Sequence, residues 1–215
     1  MVWILYFPGT RARPQGAAGP FNRKDSGAMK KIMTAAAVAA GALLVSANAA
    51  GAQVFTPSYQ SPVPMNDLGI YLSDGPGDSA FEGIYRQGPL GLRVGYVDAL
   101  DGLISIGGEV RVPLTAPIPV AFTAGAQGLL GDDQAIGLQA GVSVGQRFVT
   151  PGVALTPYLH PRVAAIQGYG GDEFETELLA ELGLDAEFSS NLILRLSVGL
   201  SDETPDVGVG LSWRR

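Results

Sequence analysis

His160 is the single histidine of the chain, and Thr156, Tyr158 and Arg162 stand at alternate positions around it. An imidazole beside a hydroxyl or a carboxylate could move protons or activate a nucleophile. Here it lies between Pro157 and Pro161, with no serine partner identifiable in the pattern. The expectation is therefore a histidine hydrogen-bonded within a polar face, not a catalytic base. One histidine in a chain without cysteine also falls short of the usual zinc ligand sets, and thiol chemistry and disulfides are excluded. Asp132 with Asp133, and Asp172 with Glu173 and Glu175, offer the hard oxygens that suit calcium. None of these runs has the ligand spacing of an EF-hand loop, and solvated acidic loops are the plainer account. No enzyme, metal site or cofactor is expected.

The remaining charges do follow a pattern. Arg86, Arg93, Arg111, Arg147, Arg162 and Arg195 stand against Glu82, Glu109, Glu177, Glu181, Asp185 and Glu187, six of each. With His160 they fall on one side of an alternating arrangement whose other side is aliphatic. Equal numbers suit an enclosed network, because a charge buried without a partner is costly. Lys24, Lys30 and Lys31 all precede Gln53, so every cation after that point is arginine. Its planar fork serves paired sites of low dielectric. Glycine is frequent on the same face (Gly91, Gly95, Gly107, Gly137, Gly141, Gly145), as a crowded interior would require.

The elements that carry these residues read as strands. In Glu177–Phe188, Leu178, Ala180, Leu182, Leu184, Ala186 and Phe188 alternate with Glu177, Glu181, Asp185 and Glu187. Period two is the mark of a strand with two chemically different faces. The rhythm predicts ten strands, at 68–73, 79–87, 90–97, 103–112, 120–130, 135–148, 154–167, 176–188, 192–201 and 206–213. Their lengths are near the roughly 9–11 residues that cross a bilayer when tilted. Short connections imply hairpins and an antiparallel meander. The odd-numbered connections carry Asp74, Asp78, Asp98, Asp101, Asp132, Asp133, Asp172, Glu173, Glu175, Asp202, Glu203 and Asp206, while the even ones carry no charge. An even-stranded barrel with one acidic rim would show this asymmetry.

The front of the chain reads differently. Met29-Lys30-Lys31, the 14 apolar residues Ile32–Val45 and the small residues through Ala52 have the form of an export signal. That run is shorter than the roughly 20 residues of a spanning helix. Cleavage after Ala52 would leave Gln53 first, so the expected layout is 1–28 as a mis-called start or disordered extension, 29–52 as signal peptide, 53–66 as an irregular, proline-rich periplasmic lead-in, and 67–215 as barrel. From Gln53 on, 8 arginines face 19 acids, a net charge of 8 − 19 = −11. That argues against nucleic acid as a partner.

A signal peptide, about ten amphipathic strands and a last strand Val207-Gly208-Val209-Gly210-Leu211-Ser212-Trp213 resemble the small bacterial outer-membrane β-barrels of the OmpA membrane-domain and opacity-porin type. Val207, Val209, Leu211 and Trp213 resemble the signal read by the outer-membrane assembly machinery, although Arg214 and Arg215 follow the aromatic that usually ends it. The resemblance is architectural and implies a compartment, the bacterial outer membrane, with lipid, periplasmic chaperones and that machinery as partners. The expected fold is an all-β, closed, antiparallel up-and-down transmembrane β-barrel of ten strands, with eight as the alternative. The expected function is a structural or surface role with a charge-paired, largely filled lumen. A narrow porin for ions or small solutes and a secreted soluble barrel holding an apolar ligand are the alternatives.

Overall fold

A strand that is aliphatic on one side and charged on the other cannot satisfy both faces in one medium, and this chain separates them by closing its sheet. The computed structural model describes residues 54–74, 79–98, 102–131, 134–168, 173–188, 191–201 and 207–215. The strands are β1 (Asp67–Ser73), β2 (Ser79–Gln87), β3 (Leu90–Asp98), β4 (Leu103–Leu114), β5 (Val120–Leu130), β6 (Ala135–Gly145), β7 (Phe148–Thr150), β8 (Val153–Gln167), β9 (Glu175–Phe188), β10 (Leu192–Gly199) and β11 (Val207–Arg214). Each pairs antiparallel with its neighbour in sequence, except that β6 and the short β7 both pair with β8. These two form one interrupted stave, so the wall has ten. Pairing of β1 with β11, from Asp67↔Arg214 to Ser73↔Gly208, closes the ring.

The interruption departs from the single strand expected over 135–148, and its cause lies in β8. The β6–β8 ladder stops at Gly141↔Arg162 and resumes at Val144↔Leu159. That gap lies within β6, opposite Pro161; the break between β6 and β7 falls between Gly145↔Tyr158 and Phe148↔Leu155 and so faces Pro157, which likewise has no N–H to give. Within the break, Gln146 N donates to the carbonyl of Pro157 at 3.1 Å. Two of the tight connections turn on glycine, Gly88 at φ 58° and Gly152 at φ 91°, a backbone region that other residues rarely enter.

Side chains divide as the alternation requires. Leu92, Val94 and Leu178 on the outer face are 66, 58 and 72% exposed, whereas Arg86, Arg162 and Arg195 on the inner face are at most 2% exposed. The odd-numbered connections leave one rim and the even-numbered ones the other, because consecutive strands are antiparallel. Of the acids expected at the first rim, Asp74, Asp98, Glu173 and Glu175 are described. Asp78, Asp101, Asp132, Asp133, Asp172, Asp202, Glu203 and Asp206 lie outside the described residues, as do the proposed extension and signal peptide over 1–52 and Gln53.

The lead-in differs from its expected place outside the wall. Val54–Met65 has no regular secondary structure, yet Val54, Phe55, Thr56, Ser58, Tyr59, Gln60 and Ser61 are all buried. The segment runs through the barrel interior from the acid-bearing rim, where Val54 packs with Val97 and Leu103, to the opposite rim, where Asn66 leads into β1. Its side chains and backbone find polar partners inside, which a periplasmic location would have found in water.

Candidate functional site

The interior is built in layers along the barrel axis. At the acid-bearing rim it is apolar, with Val54 and Phe55 packed against Ala80, Val97, Leu103, Leu129, Ala164, Ile166 and Leu179. No run of sequence announces this cap, since its wall members come one or two from each of six strands. Every residue expected in the charge network points inward, all but Glu177 below this cap, and the main ion pairs of the wall fall into three groups.

In the first group Arg93 Nη2 meets Glu82 Oε2 at 3.0 Å, Ser105 Oγ donates to Glu82 Oε1 at 3.0 Å and Gln127 Nε2 to Ser105 Oγ at 2.9 Å. Arg86 Nε donates to Glu109 Oε1 at 2.6 Å. In the second, Arg195 holds Asp67 through both Nη atoms, at 3.2 and 2.7 Å, and donates to Tyr71 Oη at 2.6 Å. Its Nε faces Asp185 at 3.3 Å as an ion pair without hydrogen-bond geometry. In the third, at the rim away from the acids, Glu187 receives Arg147 Nη2 at 2.8 Å and also Arg214. Arg147 is partly exposed there, and Glu177 is half-buried near the other rim.

The lead-in is the centre about which these groups are arranged. Arg93 Nη2 donates to the Pro57 carbonyl at 2.8 Å, Arg86 Nη2 to the Ser58 carbonyl at 3.1 Å, and Arg111 Nη1 to the Ser61 carbonyl at 2.7 Å. Glu181 accepts from the backbone N–H of Ser58 at 2.8 Å and of Tyr59 at 3.2 Å, and stands 3.5 Å from Arg162. Gln60 Nε2 donates to Glu109 Oε2 at 3.1 Å. The network thus pairs charges with each other and also supplies a peptide backbone with the partners that a sheet or water would otherwise provide.

His160 has the serine partner that its own strand lacks. Ser58 Oγ lies 2.7 Å from Nδ1 and Thr123 Oγ1 lies 2.8 Å from Nε2. The hydroxyl comes from 102 residues away, in a segment without periodicity, so strand pattern could not reveal it. Both ring nitrogens are occupied by hydroxyls, and Ser58 is fully buried. Among the described residues no carboxylate hydrogen-bonds the ring. The chemistry this permits is anchoring of the lead-in to β5 and β8. Among the described residues no group of three or more histidines, cysteines or acids is placed to hold a metal ion.

Sequence reasoning also missed Asp67, Tyr71, Ser105, Thr123, Gln127 and Gln139. All stand at the inward-facing positions of their strands, and Asp67 lies one residue ahead of the first strand expected at 68–73. A fainter signal pointed at the lead-in itself. A side-chain carbon added at Gly137 would fall on the Phe55 ring, and one at Gly208 on the hydroxyl end of Tyr59. The inward glycines thus clear space for a segment that the alternation does not describe. Gly137→Leu is expected to unseat Phe55 and to lower stability by about 1–3 kcal/mol, the usual cost of overpacking. The temperature at which the folded form gives way to the unfolded form on electrophoresis should fall accordingly, and an unchanged temperature would mean that Phe55 does not sit against β6.

No protein-family model matches the chain, and no curated protein is found to be similar to it.

Proposed function

We propose that this chain is an integral outer-membrane barrel of a Gram-negative-type bacterium, non-enzymatic, with a structural or surface role, whose lumen is shut by its own Val54–Met65 segment. One observation carries the proposal. The outer face presents Leu68, Ile70, Leu72, Leu92, Val94, Ile104, Ile106, Leu138, Val163 and Leu178 at 41 to 72% exposure, while the interior holds the ionisable side chains of the network. Soluble monomers rarely expose contiguous apolar patches beyond a few hundred Å², and a lipid environment removes that cost. Exterior aromatics support the same orientation. Tyr85, Phe122, Phe148, Phe188 and Trp213 lie toward the rim of short turns, and Phe81, Tyr96 and Phe174 toward the acid-bearing rim, as the girdles of a membrane barrel do. On this account the acidic rim faces outward, Arg214 and Arg215 face the periplasm, and the last strand serves delivery to the assembly machinery.

The lumen of a ten-stranded wall is narrow, since wide aqueous pores need around 16 strands, and here a peptide occupies it. Steady conduction is therefore not expected of the intact protein. Membrane fractions expressing the chain should show, on electrophoresis in SDS, a compact band when unheated and a slower one after boiling. Recovery of the mature protein from the periplasm or medium without detergent, with one band under both conditions, would instead favour a soluble barrel.

A further inference from the structure

We propose that the lumen is a binding site for an extended peptide, which the chain's own Val54–Met65 segment occupies, so that a free peptide of the same pattern can take its place. This rests on the closure described above and names the ligand class of the same site.

The grip is directed at features every extended peptide offers. Arg93, Arg86 and Arg111 donate to three carbonyls, at 2.8, 3.1 and 2.7 Å, and Glu181 accepts two successive backbone N–H groups. Hydrogen bonds with one charged partner are the stronger class, and in a buried site they replace water for groups that would otherwise go unpaired. Selectivity comes from side-chain seats. An aromatic lies against Gly137, a second one four residues later lies against Gly208, and a hydroxyl between them reaches His160.

The wall supplies this grip but does not need the segment for its own pairing. The segment enters no ladder, and the ring closes through β1–β11 and β6–β8 without it. Its release breaks side-chain contacts but no strand pairing, and its downstream end stays tied to β1 at Asp67. A vacated extended chain leaves a cross-section of roughly 5 by 10 Å, enough for small hydrated ions. Exchange between an internal and a free peptide can therefore be read as current.

The test uses the full chain in planar bilayers. Phe55→Asp with Tyr59→Asp empties both aromatic seats and sets an acid beside Glu181, while leaving the wall unaltered. Wild type should be closed and the double variant should conduct. A synthetic peptide spanning residues 54–65 should then reduce the current at least tenfold at saturation, and a scrambled peptide should not. Adding Arg93→Gln to the double variant should raise the half-blocking concentration roughly tenfold or more, as loss of one charge-assisted hydrogen bond predicts. A conducting double variant indifferent to the peptide would overturn the binding site but leave closure by the lead-in intact. A double variant as tight as wild type would overturn both. If the aspartates prevent folding, Phe55→Ala with Tyr59→Ala is measured by anisotropy of the labelled peptide. Binding no tighter than that of the scrambled sequence then overturns the site.

Discussion

Arg195→Leu is expected to destabilise the barrel by about 3–5 kcal/mol, the cost of leaving a buried ion pair without one member. Arg195 is fully buried and stands between two equally buried acids, Asp67 and Asp185. Asp67 also joins it to Arg86 at 3.8 Å, and both arginines donate to Tyr71 Oη. Removing the guanidinium leaves Asp185 without its ion pair and Asp67 with only the more distant Arg86, beside the β1–β11 seam where the ring closes. Arg195→Lys should recover little of the loss, because an ammonium cannot reproduce the two-pronged contact with Asp67. Combining Arg195→Leu with Asp67→Asn and Asp185→Asn should recover much of it, since the penalty belongs to the unpaired acids more than to the lost attraction. Urea unfolding in lipid vesicles, followed by tryptophan emission, measures all three. A single-variant loss below about 1 kcal/mol would show that the pair is solvated and the interior is wet.

The ease with which the wall was read, and the difficulty with the interior, have one origin. Period-two alternation is a property of each strand taken alone, so Leu178 to Phe188 and Leu192 to Leu200 declare their faces without reference to any neighbour. The structure places those faces as expected, with Leu178 outward and Glu181, Asp185 and Arg195 inward. Strand ends shift by a residue or two where pairing with a neighbour decides them, as at Asp67, which joins β1 only because Arg214 and Arg86 face it across two ladders. The gap between β6 and β7 depends on a proline in a different strand. Both outcomes need the partner, and alternation contains no partner.

The lead-in lies further still from what periodicity can show. Three prolines and no alternation within residues 54–65 mark it as irregular, and irregular it is. Where it goes depends on the vacancy that the wall encloses, a quantity set by ten strands together. The balance of six arginines and six acids suggested a network satisfied within itself. In the structure Asp67 adds a seventh acid, and Arg86, Arg93 and Arg111 each reach a backbone carbonyl. The surplus of donors was meaningful, because a guanidinium holds five N–H groups and one carboxylate accepts only some of them. Crowded inward glycines facing aromatics of the segment complete the same account: the wall is shaped around a partner that no strand supplies, namely the chain's own Val54–Met65 segment.

Val94→Arg decides which medium meets the outer face. Val94 is the central residue of β3, 58% exposed, paired across the sheet with Gly83 and Ile106. If that face meets lipid, an arginine there lies near the middle of the hydrocarbon and should cost about 2–4 kcal/mol, whereas Leu90→Arg, at the rim end of the same strand, should cost only about 0–1 kcal/mol. In a water-soluble barrel both positions are surface sites, where substitutions usually stay within about ±0.5 kcal/mol. The ratio matters more than either value, because it cancels effects common to adding arginine on one face of one strand. Vesicle-based unfolding of the two variants beside wild type gives the comparison directly. Equal, small losses would place the aliphatic face in water and leave the enclosed charges to be explained by a soluble barrel turned inside out.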